Sequence, residues 1–245
     1  IYNLLIQPVI TPPVDNTSGL SINFRSSIDG EAAGDRAGLG VACNANGSII
    51  AIGAYKHDGN KGHVRIYQWN GSSWDQLGTD IDGENAGDES GYAVSLSSDG
   101  TIVAIGASRN AANGNLSGHV RVYQWDGSSW NQVGDDINGE AADHLLGNAL
   151  ALSSDGSLLV GAAYNYNAGD GRVYTYELVK KPITSIVKMG TPIDGTINDH
   201  IGYTLSCNAD GNIIATGSHN MNKIRVYEYI NNNWIQMGTD IASSG

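Results

Sequence analysis

A propeller of four-stranded antiparallel β blades is the fold class that the sequence predicts. Three observations predict it. The first is an internal repeat: Gly38, Gly91, Gly147 and Gly202 stand at the same place in four similar stretches, at intervals of 53, 56 and 55 residues. The second is composition. Of 245 residues, 33 are glycine and only 16% are charged, a turn-dense chain with few strong helix formers, while 40% hydrophobic residues suffice for a sizeable core. The third is a strand-and-turn pattern that recurs inside every copy.

The frame begins at Ile28, Ile81, Ile137 and Ile193. The first strand of a copy is short and small-residued, as in Val41-Ala42-Cys43 and Ala93 to Leu96. It ends in Asn46-Gly47, Asp99-Gly100, Asp155-Gly156 or Asp210-Gly211, dipeptides that tolerate the positive φ of a two-residue type I′ hairpin turn. The second strand is a nearly continuous apolar run, Ile49 to Ala54 and Ile102 to Ala107, suited to a strand covered on both faces. The third alternates, as in His63-Val64-Arg65-Ile66-Tyr67, His119-Val120-Arg121-Val122-Tyr123 and Lys223-Ile224-Arg225-Val226-Tyr227. The fourth follows Asn70-Gly71 or Asp126-Gly127 and carries Trp74, Trp130 or Trp234. One sheet of this size cannot bury both faces alone. Copies set side by side can, and sheet twist makes the stack splay radially. A β-sandwich offers no reason for a fourfold sequence repeat.

The predicted organisation is an apolar arm and proline-containing linker over residues 1–19, then propeller repeats over 20–245 with copies at about 28–80, 81–136, 137–192 and 193–240. The arm reads as a strand from Ile1 to Ile10, and Pro8, Pro12 and Pro13 stiffen what surrounds it. Residues 21–27 align with a fourth strand, and Ile241 to Gly245 resembles the start of another copy. At least four blades are therefore expected, as part of a larger ring or an assembly, with the arm free to pair with a neighbouring sheet edge.

Lys and Arg number 13 against 25 Asp and Glu, a net charge of −12. Such a chain repels polyphosphate, which argues against nucleic acid as a partner. No run approaches 18 apolar residues, so no membrane-spanning helix is expected. Cys43 and Cys207 occupy the same repeat position, filled by Leu96 and Leu152 in the other copies, which predicts two small buried hydrophobes; a bridge would require their copies to be neighbours. Sequons at Asn16, Asn46, Asn70 and Asn115 all fall where turns or loops are expected and are candidate glycosylation sites.

The stretch Gly91-Tyr92-Ala93-Val94, then Val103 to Ala107, then Gly118 to Tyr123, resembles the FG-GAP repeat of integrin-α-type β-propellers, over residues 28–240. The resemblance implies an extracellular propeller working through protein contacts. It departs from the family in its Gly-Tyr or Gly-Leu order and in lacking a proline after the Gly-Ala pair. The family's Ca²⁺ loop between strands one and two is not carried over, because a two-residue turn cannot wrap six or more oxygens around the ion.

A different acidic segment is a candidate cation site. The link into copy two places Asp80, Asp82, Glu84 and Asp88 at a spacing from which carboxylate oxygens can gather on Ca²⁺; the competing reading is that they form Asx-turns. Trp69 and Trp125 are candidates for stacking on sugar rings, against the alternative that repeated aromatics pack blade on blade. No nucleophile elbow, P-loop, dinucleotide fingerprint or zinc spacing is present. Acidic pairs recur with the repeat, whereas catalysis breaks symmetry. The sequence alone therefore points to a non-catalytic, extracellular or cell-surface structural propeller of the adhesion type. Its partners would be copies of itself, other extracellular proteins or glycans. A cation-assisted carbohydrate- or ligand-binding module of the lectin or receptor kind stands as the alternative.

Overall fold

The computed structural model describes residues 26–179 and 182–242. The expected arm over residues 1–19, with Asn16 and the alignment of residues 21–25, lies outside them. Four antiparallel sheets follow one another along the chain. Blade 1 holds β1 (Ala37–Cys43), β2 (Ile49–Ala54), β3 (His63–Trp69), β4 (Trp74–Gln76) and β5 (Ile81–Asp82). Blade 2 holds β6 (Ala93–Leu96), β7 (Ile102–Ala107), β8 (His119–Trp125), β9 (Trp130–Gln132) and β10 (Ile137–Asn138). Blade 3 holds β11 (Leu146–Leu152), β12 (Leu158–Ala163), β13 (Arg172–Val179), β14 (Ser185–Lys188) and β15 (Ile193–Asp194). Blade 4 holds β16 (Ile201–Cys207), β17 (Ile213–Ser218), β18 (Lys223–Ile230), β19 (Asn233–Gln236) and β20 (Ile241–Ala242). This is the all-β propeller architecture that the repeat predicts.

The fourth strand of each blade is interrupted. β4 and β5 both pair with β3, on the edge that β2 leaves free, with a break between them. The break contains Gly78, Gly134, Gly190 or Gly238, each at positive φ, which throws the chain out of the ladder for a few residues.

The hairpins between first and second strands differ from the expected type I′ turns. The positive φ falls on Gly47, Gly100, Gly156 and Gly211 alone. In blade 2 the Gly100 amide donates to the Ser97 carbonyl at 2.9 Å, and the Ser97 amide donates to the Ile102 carbonyl at 3.0 Å, closing a longer loop. Asp99 acts through its side chain: its Oδ1 accepts from the Thr101 amide at 3.0 Å and the Ser97 hydroxyl at 2.6 Å. The aspartate thus makes an Asx-turn and leaves the left-handed position to glycine.

The apolar second strands behave as their composition requires. Every residue of β7 and β12 is buried. Three hydrophobic clusters lie between consecutive sheets. Ile66 and Val64 of blade 1 meet Leu96, Val103 and Ile105 of blade 2. Val120 and Val122 meet Leu146, Leu159 and Tyr174 of blade 3. Val160 and Val173 meet Ile201, Ile214 and Trp234 of blade 4. The outer sides of the first and last blades are unlike these: Leu39 and Val41 on β1, and Tyr203, Ile224, Ile235 and Met237 on blade 4, are exposed.

That exposure corrects the reading of the cysteines. Cys43 sits on β1 and is exposed, while Cys207 on β16 is half-buried; both are free, in blades that are not sequence neighbours. Burial pushes the Cys207 thiol up to about 11, so it is an unreactive packing group at neutral pH.

Candidate functional site

The connection from second to third strand and the connection from each blade to the next meet on one face of the array. Backbone bonds stitch them: the Gly83 amide donates to the Gly62 carbonyl at 2.8 Å, the Glu89 amide to the Asn60 carbonyl at 2.8 Å and the Ser90 amide to the Lys61 carbonyl at 3.0 Å. Between Ala54 and His63 the chain makes a tight turn in which Asp58 and Gly59 take left-handed backbone. This turn carries His57, and the link leading into β1 carries Glu31 and Asp35.

In blade 1 these elements converge. Asp35, buried, places Oδ2 at 2.9 Å from His57 Nδ1 and also accepts the Ala32 amide at 3.2 Å. The hydrogen bond from Asp35 raises the His57 pKa above its ordinary value despite some desolvation. With an ionised Asp35 the Nδ1 atom is the donor, so the neutral ring presents Nε2 as an acceptor. Nε2 stands 3.9 Å from Glu31 Oε2, and the ring stacks on His63 at 4.1 Å between centroids. Arg65 reaches the other oxygen of Glu31 at 3.3 Å and donates to the Asp29 carbonyl at 3.0 Å.

His63 and His119 open the third strands of blades 1 and 2, and both are 1% exposed. Burial lowers both pKa values, with the positive Arg121 adding to the effect on His119, which falls to about 4. Each faces two carboxylates. His63 Nδ1 lies 3.6 Å from Asp80 and 3.9 Å from Glu31. His119 Nδ1 lies 3.8 Å from Glu84 and 3.9 Å from Asp136. The structure thus brings together two groups able to hold a metal ion among the described residues, Glu31 with His57 and His63, and Glu84 with His119 and Asp136.

The acidic link predicted as a cation site is distributed along this face. Glu84 joins His119. Asp80 faces His63 and accepts from Gln76 at 2.6 Å. Asp82 lies on β5, where its carbonyl accepts from Arg121 at 2.7 Å. Asp88 is buried, accepting from the Asn85 amide at 3.1 Å and from Asn110 at 2.9 Å. No spacing within the sequence marks these histidines as ligands or bases. The signal that would have found them is the column at the start of the third strand, which reads His63, His119, Arg172, Lys223.

Trp69 and Trp125 are half-buried and each packs against the tryptophan across its hairpin, Trp74 and Trp130, at 5.4 Å between centroids. Gly78 of blade 1 lies directly against Trp125, and Trp130 donates its indole N–H to the Leu77 carbonyl at 2.9 Å. Asn46, Asn70 and Asn115 are exposed. The Asn70 side-chain nitrogen donates to Ser73 and to Asp75, both at 2.8 Å.

No family model and no curated protein matches the chain. Solved structures do. A candidate 6-phosphogluconolactonase from Bacteroides uniformis is similar with a TM-score of 0.59 at 15% identity, over 82% of this chain and 54% of its own. A periplasmic gluconolactonase from Pseudomonas aeruginosa gives 0.58 at 13% identity, over 84% and 57%. A functionally unknown protein from Desulfotomaculum acetoxidans gives 0.54 at 13% identity, over 81% and 54%. The chain spans about half the length of these structures. At such identity the likeness shows the fold, a propeller of four-stranded blades, which is the part of the FG-GAP resemblance that it supports. It also corrects the expectation of a non-catalytic adhesion propeller. Two of these neighbours are named as lactone hydrolases, so this architecture carries enzymes, and a recurring set of acidic residues is no argument against one.

Proposed function

We propose that the protein is a hydrolase of uncharged sugar-acid lactones, with His57 as general base and Asp35 as the group that orients it. The observation that carries the reading is the Asp35–His57 pair at 2.9 Å. It breaks the repeat. The residue equivalent to Asp35 is Asp88 in blade 2, where it meets Asn110, and Asp199 in blade 4, where it meets Arg225. Among the described residues, only blade 1 sets a histidine against it, and that histidine is partly open to solvent. One base held in one place is what a single substrate requires. The names of the two lactonase neighbours support the reaction class.

The chemistry follows from the tautomer. His57 Nε2 takes a proton from water as the water oxygen bonds to the lactone carbonyl carbon. The tetrahedral intermediate collapses with cleavage of the ring C–O bond, and the proton passes to the departing alkoxide, leaving an open-chain hydroxy acid. Glu31, Asp80 and Glu84 make this face acidic, and a phosphorylated lactone would meet them unfavourably, so the unphosphorylated form is the better substrate.

Glucono-1,5-lactone and its 6-phosphate, followed by acid release against the spontaneous rate, test this. The protein is expected to accelerate the first above background. H57Q and D35N are each expected to lower kcat by about 100-fold or more, since a positioned base contributes 10² to 10⁴. Because the His57 pKa lies above its ordinary value, activity should begin to fall on acidification at a pH above 6.5. Wild-type protein no faster than background, or full activity in H57Q, would rule the reading out.

A further inference from the structure

We propose that blade 2 binds a divalent transition-metal cation of the Zn²⁺ type between Glu84, His119 and Asp136. The inference goes beyond the lactonase reading and stands independently of it.

Comparison of the four blades carries the argument, because each places carboxylates around the start of its third strand. In blade 3 that position is Arg172, which bonds Asp194 and lies 3.2 Å from Glu140, with Lys188 at 3.1 Å from the same carboxylate. In blade 4 it is Lys223, 3.0 Å from Asp240, with Arg225 at 3.0 Å as well. In blade 1 it is His63, but Arg65 lies 3.3 Å from Glu31 and the His57 ring covers the space. Blade 2 differs. Its position is His119, and the nearest cation, Arg121, reaches only 4.0 Å from one oxygen of Glu84 while bonding the Asp82 carbonyl and lying over Tyr123. The acidic pair that a protein cation meets in the other blades has none in close contact here.

The imidazole supplies the second observation. His119 is 1% exposed, and its Nδ1 is buried without a hydrogen-bond partner. A buried polar atom left unpaired is costly. This one faces Glu84 Oε2 at 3.8 Å and Asp136 Oδ2 at 3.9 Å, too far for hydrogen bonds. Donors around one tetrahedral metal with bonds of about 2.1 Å stand about 3.4 Å apart. A contraction of about half an ångström brings both histidine–carboxylate separations to that value, and all three donor atoms already lie within 4.8 Å of one another. One nitrogen and two carboxylate oxygens suit a borderline cation better than Ca²⁺, which takes oxygen alone. Access is open, since Glu84 is 41% and Asp136 24% exposed. Glu84 belongs to the link from blade 1, whereas His119 opens β8 and Asp136 immediately precedes β10, both in blade 2, so the ion would fasten one to the other.

Titration calorimetry of the full chain, stripped with chelator and titrated with ZnCl₂, tests the site. Wild-type protein is expected to bind Zn²⁺ and to melt at a higher temperature when loaded. The double variant E84Q/D136N changes only exposed or half-exposed groups, and far-UV circular dichroism checks that it folds. It is expected to lose one equivalent, or at least about 100-fold in affinity. E31Q, at the blade 1 group, is expected to retain that equivalent. No uptake by wild type, unchanged uptake by folded E84Q/D136N, or loss of all uptake in E31Q would each overturn the proposal.

Discussion

Replacing Gly106 by alanine is expected to destabilise the protein by about 3 kcal/mol or more, a large effect for a single methyl group. Gly106 lies on β7 at its most tightly packed point. A Cβ there would stand 2.0 Å from the Gly147 carbonyl oxygen and 2.9 Å from its carbonyl carbon. Both contacts are to backbone, so no side chain can rotate away. Nor can Gly147 yield easily, because it holds φ at +91° and its own α-carbon faces the His119 carbonyl. The two glycines let the sheets of blades 2 and 3 approach backbone to backbone, and the methyl would push apart the cluster of Val120, Leu146 and Leu159. Gly53 against Gly91 repeats the arrangement between blades 1 and 2, again at 2.0 Å. The next junction contains the substitution naturally: Ala162 stands where Gly106 does, and its Cβ faces Gly202, where any second methyl would come within 2.6 Å. Urea denaturation of G106A measures the effect. A loss below about 1 kcal/mol would show that the blades can slide to accommodate the methyl.

The second large effect is on acid stability. His119 titrates near 4 in the folded protein and at about 6.5 when unfolded, and His63 is shifted in the same direction. Between those values the unfolded chain binds more protons, so stability falls as pH is lowered from 6.5 towards 4. The His119 shift alone corresponds to about 3 kcal/mol over that window. Burial is the main cause. Arg121 reinforces it, while Asp136 and Asp88 oppose it. His57 works the other way: its raised pKa stabilises the fold at low pH and ceases to do so as pH rises through it, an offset in part. The carboxylates held low by hydrogen bonds or ion pairs, such as Asp199, lose their contribution only below the ordinary carboxylate range, and so outside this window. Urea midpoints at pH 7 and 4.5, in chelator, are expected to differ strongly for wild type and markedly less for H119Q. Equal slopes in the two proteins would mean that His119 is not the group responsible.

Much of the fold is legible because each blade repeats the same local instruction. The apolar runs Ile49 to Ala54 and Ile102 to Ala107 read as covered strands; β7 is buried throughout and β2 from Ala51 onward, with Ile49 and Ile50 half-buried. The interrupted fourth strand was hidden, since Gly78 and Gly134 read as ordinary turn residues until their neighbours are seen pairing with the same partner strand. The candidate site was harder to see. Asp35 and His57 are 22 residues apart and meet only when a link folds across a turn. Glu84 and His119 fall within one copy but far apart along it, and meet only because the link between blades folds against the start of β8. The cysteine positions misled for a related reason: their repeat equivalents are buried, but β1 has no sheet packed on its outer side among the described residues.

The oily residues form three separate layers between sheets instead of one centre, and this gives the molecule a linear grammar. Each blade is held by its borders, so the array behaves as a row of coupled units with nearest-neighbour bonds. Among the four described blades, a lesion at one border acts directly on the two sheets that share its cluster and reaches the others only through them. The loss of stability that such a lesion causes therefore falls first on the two blades that share the border.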